Sequence, residues 1–391
     1  MQPKKRILGV ERNVFFLGLT SFLNDFSSEM VFSVMPAFFI SVLKTGAASL
    51  GLVEGIAEAG ANLMKIYSGR ASDLLKKRKV FAVVGYAISV ATRPFYIFAG
   101  SVGVVIGLRL TDRIGKGLRD APRDALIALS SPREESGLSF GYHRAMDTVG
   151  GILGPLAAFA ILSAFPGAFD AVFLTAFVIG VVAVASLVFV KEISTTIING
   201  KRNGKKLSAK VLTYLFSVFV LSMGTLPVII ILLKTQDLGL PIAVIPLFYS
   251  LYGVTFALFS LPAGRMADHI HSAPVITVGY LFLLAGYTTL TITDSIGTLI
   301  VGLLLMGAFS AFTDGVQRSH LSHLVDDDGK GAGYGYLNAA AGFGALIAGA
   351  TGGYLWQHYG SDVAIKVAGI MVVIGLLIFV IGGDGHEKPR G

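Results

Sequence analysis

Apolar runs of about twenty residues follow one another along almost the whole chain, about twelve in all, separated by short polar turns. At about 1.5 Å of rise per residue, each run spans the roughly 30 Å hydrocarbon core of a bilayer as a helix. A helix also satisfies its own backbone polar groups there, which an irregular segment does not. Composition agrees: 53% of residues are hydrophobic and 14% charged, against roughly 25% charged in an ordinary soluble domain. The chain is therefore read as an all-α integral membrane protein with twelve transmembrane helices. Its 48 glycines suit close helix-on-helix packing. With zero cysteines, disulfide frameworks, thiolate metal sites and cysteine nucleophiles are excluded. The basic start, Met1 to Arg6, runs into an apolar stretch that passes Pro36 without a small-residue cleavage site, so it is read as a retained first span.

A net charge of +8 invites a nucleic-acid partner, and its distribution argues against one. Lys4, Lys5, Arg6 and Arg12, then Lys76 to Lys79, then Lys191 to Lys210, then Lys388 and Arg390 all fall on one side if the spans alternate. Lys44 and Lys234 are almost alone on the other. Basic residues accumulate on the cytoplasmic face, which puts both termini and the central loop inside a plasma (inner) membrane. The same loops suit acidic lipid. The expected divisions are residues 1–190 as an N-terminal six-helix bundle, 191–207 as a cytoplasmic linker and 208–391 as a C-terminal six-helix bundle.

The charges inside the spans are the next constraint. Helix 1, about Asn13 to Leu43, carries Asp25 and Glu29 at i and i+4, so both share one face. They lie about 18 and 24 Å from its cytoplasmic start. Helix 2, about Ala48 to Ser68, repeats the pattern with Glu54, Glu58, Asn62 and Lys65, and running the other way it brings Glu54 and Glu58 level with Asp25 and Glu29. Four carboxylates are expected in one layer. Each intramembrane charge costs about 3 kcal/mol on insertion scales unless it faces a cavity or a partner, so the layer implies a polar interior. Arg93 either pairs with that layer or snorkels to the outer interface.

Helix 4 is the most charged span. Arg109, Asp112, Arg113, Lys116, Arg119, Asp120 and Arg123 share one face. A surface-lying amphipathic helix would cost the alternating topology a crossing, and a phosphate loop at Gly115-Lys116-Gly117 lacks the following Ser or Thr. A cavity-lining helix opposite the carboxylates of helices 1 and 2 is the reading that survives. Helix 5 carries His143 and Asp147 at i and i+4, either a structural pair or a proton relay. Helix 6, about Ala171 to Val190, is apolar all round and reads as lipid-facing. In the second half Tyr249 and Tyr252 suit a cavity wall, Asp314 and Arg318 close helix 10, and Asn338 lies in helix 11.

The chain looks like one half written twice. Gly69-Arg-Ala-Ser-Asp73 with its basic run through Arg78 returns as Gly264-Arg-Met-Ala-Asp268, 195 residues later. This resembles motif A of the major facilitator superfamily, carried between helices 2 and 3 and again between helices 8 and 9. Gly141, Gly150, Gly154 and Pro155 in helix 5 are similar to motif C of its antiporters, although Ala158-Phe159 stands where that motif ends in two glycines. Arg109 resembles the helix 4 arginine of motif B, with Arg113 in place of the glycine four residues on. The resemblance implies a prokaryotic twelve-helix transporter of two pseudo-symmetric six-helix bundles that works by alternating access. Gly69, Asp73, Arg78, Gly264 and Asp268 would form its cytoplasmic gate.

The residues expected to couple protons or line the central cavity are Asp25, Glu29, Glu54, Glu58, Arg109, Asp112, Arg113, Lys116, His143 and Asp147. Tyr249, Tyr252, Asp314, Arg318 and Asn338 would contribute from the C-terminal half. The leading expectation is export of a small organic compound in exchange for protons, by a monomer with no cofactor and no metal centre. Proton-coupled uptake of an organic anion held by Arg109 and Arg113, and export of a divalent metal by the carboxylates, are the alternatives. An intramembrane enzyme is disfavoured because no nucleophile and base stand at a supporting spacing.

Overall fold

The computed structural model describes residues 6–7, 9–75, 77–131, 135–193, 207–325 and 330–383. It is all-α apart from a two-residue antiparallel pairing in which Arg6 faces Glu11 and Ile7 faces Val10. The helices are α1 (Arg12–Ser41), α2 (Ala47–Leu75), α3 (Arg78–Thr92, continued by a 3-10 turn over Arg93–Phe98), α4 (Val102–Ser130), α5 (Ser136–Ala164) and α6 (Phe169–Ser186). There follow α7 (Ala209–Met223), the short α8 (Val228–Ile231) and α9 (Lys234–Asp237), α10 (Ile245–Ile270), α11 (Ser272–Ile292), α12 (Ile296–Leu324), α13 (Lys330–Tyr359) and α14 (Ser361–Gly383). Among the described residues 8 helical segments are long and apolar enough to cross a membrane by composition. The other long ones, α1, α2, α4 and α13, are 29 or 30 residues, about 44 Å each. Charge dilutes the first three and glycine the fourth, so twelve helices in two six-helix bundles remain the architecture.

Local sequence sets several boundaries. Ser101 caps α4 by accepting from the Val104 amide, Ser208 caps α7 from Val211, and Ser295 and Thr298 form a reciprocal capping box at α12. Pro227 follows the Gly224 cap of α7, and the chain resumes only as the short α8.

The chain divides into two compact units. The first comprises Met1–Thr45, Ile56–Ile198 and Leu240–Gly253. Within it α1 packs most closely on α5 and α6, and α3 on α4. Gly150 and Gly154 are why α5 approaches α1 so closely: a Cβ on either would run into the backbone carbonyls of Phe22 and Phe26. Gly141, the first glycine of that motif, has open space where its Cβ would be. Helix α6 is not apolar to lipid all round. Phe169, Val172, Phe173, Ala176, Gly180 and Ala183 form a buried stripe, because small residues at helical spacing let α1 come close.

The second unit comprises Gly46–Gly55, Asn199–Gly239 and Val254–Gly391. Helix α11 packs on α12, and α7 on α13 and α14. Lys234, 3% exposed, reaches Asp294 at 2.5 Å and Asp362 at 3.8 Å, tying α9 to the starts of α12 and α14. Trp356 is buried here, whereas Tyr354 and Tyr359 are exposed as interface residues are expected to be.

One expectation about motif A changes. Helix α2 runs on to Leu75 and α10 to Ile270, so Gly69, Asp73, Gly264 and Asp268 sit in closing helical turns and not in loops. Residues such as Ala71, Leu74 and Leu75 favour continuing the helix. Arg78 is buried at the start of α3 and donates to the Ile193 carbonyl at 3.4 Å, beside the Lys79 amide bond to Glu192 at 2.8 Å. The centre of the basic linker, residues 194–206, lies outside the described residues.

Candidate functional site: a charged cavity between α1, α3 and α4

The charged face of α4 turns inward. Arg109 is 2% exposed and Arg119 3%, values that a guanidinium tolerates only with partners. Arg109 Nη1 lies 3.3 Å from Asp112 Oδ2, and the Ser89 hydroxyl of α3 donates to Asp112 Oδ1. Phe32 of α1 presents its ring to two cations at once, with Arg109 4.6 Å and Arg113 5.7 Å from the centroid. Arg119 stacks over Tyr86 at 4.3 Å. Ser28, Glu29, Phe32, Ser89, Asp112 and the cations Arg109, Arg113, Lys116 and Arg119 enclose a cavity of about 10 Å³, room for one water-sized atom.

Glu29 is the carboxylate of this wall that comes from α1. Its Oε2 accepts the Tyr249 hydroxyl at 2.9 Å, and the Tyr249 ring meets Phe32 edge-on at 5.3 Å and stacks on Tyr252 at 5.9 Å. The residues Leu240–Gly253 belong to the first unit, so this pairing lies within that unit. Asp25, one turn away, accepts from Asn24 at 3.1 Å and lies 3.9 Å from Arg119 Nη2. From there charges alternate along α4: Asp120 is 3.9 Å from Arg119 and 3.7 Å from Arg123, which holds Asp124 at 2.9 Å. His143 Nδ1 and Asp147 Oδ2 stand 3.5 Å apart on α5.

Of the four carboxylates expected in one layer, Asp25, Glu29 and Glu58 face the cations of α4 and Glu54 stands apart. Asp112 and Glu29 line the cavity, while Glu58 takes the Asn62 amide at 3.2 Å along its own helix and Glu54 is buried in the segment of α2 that belongs to the second unit. Arg93 meets neither expectation set for it. Fully buried, it donates to Asn24 Oδ1 at 3.0 Å, to the Ser27 hydroxyl and to the Ala176 carbonyl at 3.5 Å, bridging α1 and α6 through neutral oxygens. Among the described residues no group of three or more His, Asp or Glu side chains is placed to hold a metal ion.

Asp314 and Arg318 are exposed on α12 and Asn338 is half-buried on α13. A cavity of about 530 Å³ in their unit is lined instead by apolar side chains such as Met223, Leu226, Val367 and Met371. Sequence reasoning missed Phe32, Ser89 and Tyr86 as wall and stacking residues. Phe32 was findable as the i+3 neighbour of Glu29 on the same helical face. Ser89 and Tyr86 carry no such local signal.

The sequence model of the Major Facilitator Superfamily matches residues 17–221 and again 211–391. The chain belongs to that family. An uncharacterized MFS-type transporter of Methanocaldococcus jannaschii is 32% identical over 384 residues, covering 95% of both chains. A multi-drug resistance efflux pump PmrA homolog of Lactococcus lactis is 22% identical over 397 residues, covering 97% of both. Among solved structures, the nucleoside transporter NupG aligns with a TM-score of 0.75 at 13% identity, over 95% of this chain and 99% of that one. A bacterial homolog of the human lysosomal transporter Spinster aligns with a TM-score of 0.75 at 15% identity, over 97% of each. These two likenesses speak to fold alone.

Proposed function

We propose that the chain is a secondary active transporter that couples protons to the movement of a small organic compound by alternating access, with the proton held at Glu29. It would act as a monomer in the plasma membrane, its termini cytoplasmic, its halves meeting in the linker 191–207. The observation that carries this reading is the setting of Glu29. A carboxylate held by one neutral hydroxyl, in a wall that also contains guanidinium groups, changes its protonation when a neighbour binds or leaves. Asp25, beside Glu29 on α1, and the His143–Asp147 pair of α5 would extend the proton path.

Exchange, with the compound leaving, is supported by the antiporter-like glycines of α5, two of which meet α1, and by the efflux relative of Lactococcus lactis. A second reading, co-transport of a proton with an organic anion, is favoured by the wall charge, with Arg109, Arg113, Lys116 and Arg119 against Glu29 and Asp112. The test uses proteoliposomes with pyranine trapped inside and phenylphosphonate or ethidium added outside. A compound-dependent internal pH change that Glu29→Gln abolishes supports proton coupling at Glu29. Acidification marks co-transport and alkalinisation marks exchange. A pH change of equal size in Glu29→Gln removes Glu29 from the role, and none with either compound counts against coupling.

A further inference from the structure

We propose that the α4 cavity is a seat for one oxygen of an anionic substrate's carboxylate or phosphate group, with Arg113, Lys116 and Arg119 as its ligands. This rests on the second reading above, co-transport of a proton with an organic anion, with the cavity as the transport site. The charges of the wall are unequal, and its carboxylates are already engaged. Asp112 holds Arg109 and the Ser89 hydroxyl, and Glu29 takes Tyr249. Among the described residues Arg113 and Lys116 make no close ion pair or hydrogen bond, Arg113 resting against the Phe32 ring, and Glu29 and Glu58 face both at longer range. Arg119 reaches Asp25 and Asp120 only at 3.9 Å. Among the described residues no hydrogen-bond acceptor reaches the buried Nε of Arg113 or the buried Nε and Nη1 of Arg119, and Arg119 is only 3% exposed.

Charged donors buried in this way need an acceptor more than neutral ones do. The cavity's size selects what that acceptor is. At about 10 Å³ it has room for one oxygen atom and not for a whole organic molecule, so an anion would place a single oxygen there. A water in that place accepts about two hydrogen bonds and brings no charge. An oxygen of a carboxylate or phosphate is of similar size, accepts from several forks and offsets the cationic surplus. An anion seated there also screens those cations from Glu29, so anion and proton favour each other's binding. The sign of that coupling is co-transport.

Purified full-length protein in detergent is titrated with inorganic phosphate and with phenylphosphonate at constant ionic strength, and the unfolding temperature is followed. The expected result is a saturable rise with both. Half-saturation should move at least tenfold upward in Arg113→Gln and in Lys116→Gln, less in Arg113→Lys, and downward in Glu29→Gln, which removes a wall carboxylate. Excluded salts strengthen any fold, so the variants decide. Unsaturable responses of equal slope in all proteins would overturn the proposal. Saturation by phosphate but not by phenylphosphonate would assign the seat to a free inorganic ion and overturn its substrate-borne form. No gradient is involved, so loss of proton coupling at Glu29 and loss of the anion seat are separate outcomes.

Discussion

Replacing Asp112 by Asn separates what the cavity wall does for the fold from what it does for a ligand. Asp112 and Arg109 form a buried pair with side chains 11% and 3% exposed, so solvent screening is slight. Removing one partner of such a pair costs about 3–5 kcal/mol, because the other charge stays buried without its counterion. Asn keeps the volume, still accepts from Ser89, and leaves Arg109 over Phe32. The expected loss is therefore about 3 kcal/mol, the low end of that range. Unfolding by sodium dodecyl sulfate in mixed micelles measures it. Arg109→Met/Asp112→Asn should lose less than the two single variants together, by about 1 kcal/mol or more. The variant also removes a negative charge from the wall, so its affinity for phenylphosphonate should rise while its stability falls. A variant within about 0.5 kcal/mol of wild type, or a strictly additive double variant, would refute the pairing as the structure gives it.

The remaining expectations concern other parts of the fold. Gly154→Leu should destabilise by about 2 kcal/mol or more, since its Cβ meets the Phe26 carbonyl, whereas Gly141→Ala, in open space, should be near neutral; thermal unfolding compares them. Arg93→Met should be tolerated better than Arg93→Lys in an unfolding titration, because an apolar chain fills the site without a charge to satisfy and an ammonium reproduces the fork's contacts poorly. Burial, with Asp294 and Asp362, pushes the Asp237 carboxyl above its ordinary 3.8, against the pull of Lys234. A carboxyl with a raised folded pKa binds protons more readily folded than unfolded, so this group lowers stability as pH climbs from 3.8 through the raised value, and the penalty is complete above it. Asp237→Asn should therefore raise the unfolding temperature at pH 7 and flatten that part of the profile. An unchanged profile would count against it.

Much of the cavity was legible because helical spacing is local information. Asp25 and Glu29 share a face at i and i+4, and the α4 residues from Arg109 to Arg123 could only form one stripe, so the stripe's inward turn followed from the cost of charge in lipid. The two glycines of α5 that meet α1 were legible for the same reason. What escaped depends on tertiary contacts. Nothing near Ser89 or Tyr249 in sequence announces Asp112 or Glu29 as partners, and the neutral oxygens that surround Arg93 come from Asn24, Ser27 and Ala176, far along the chain. Depth alone placed Glu54 level with the α1 pair, but depth along a helix does not say which way a face turns. Helix α2 is longer than expected because a basic cluster reads as a loop, although Arg70, Ala71, Leu74 and Leu75 before it favour helix.

The central claim is that proton and substrate meet at one cavity beside Glu29. It is tested most directly by adding phenylphosphonate to purified protein in weakly buffered detergent solution and following pH with a dye. Proton uptake by the wild type, absent in Glu29→Gln although phenylphosphonate still binds, is the expected result. Proton release that Glu29→Gln also abolishes would mark exchange at the same cavity, and a response of equal size in both proteins would contradict the claim.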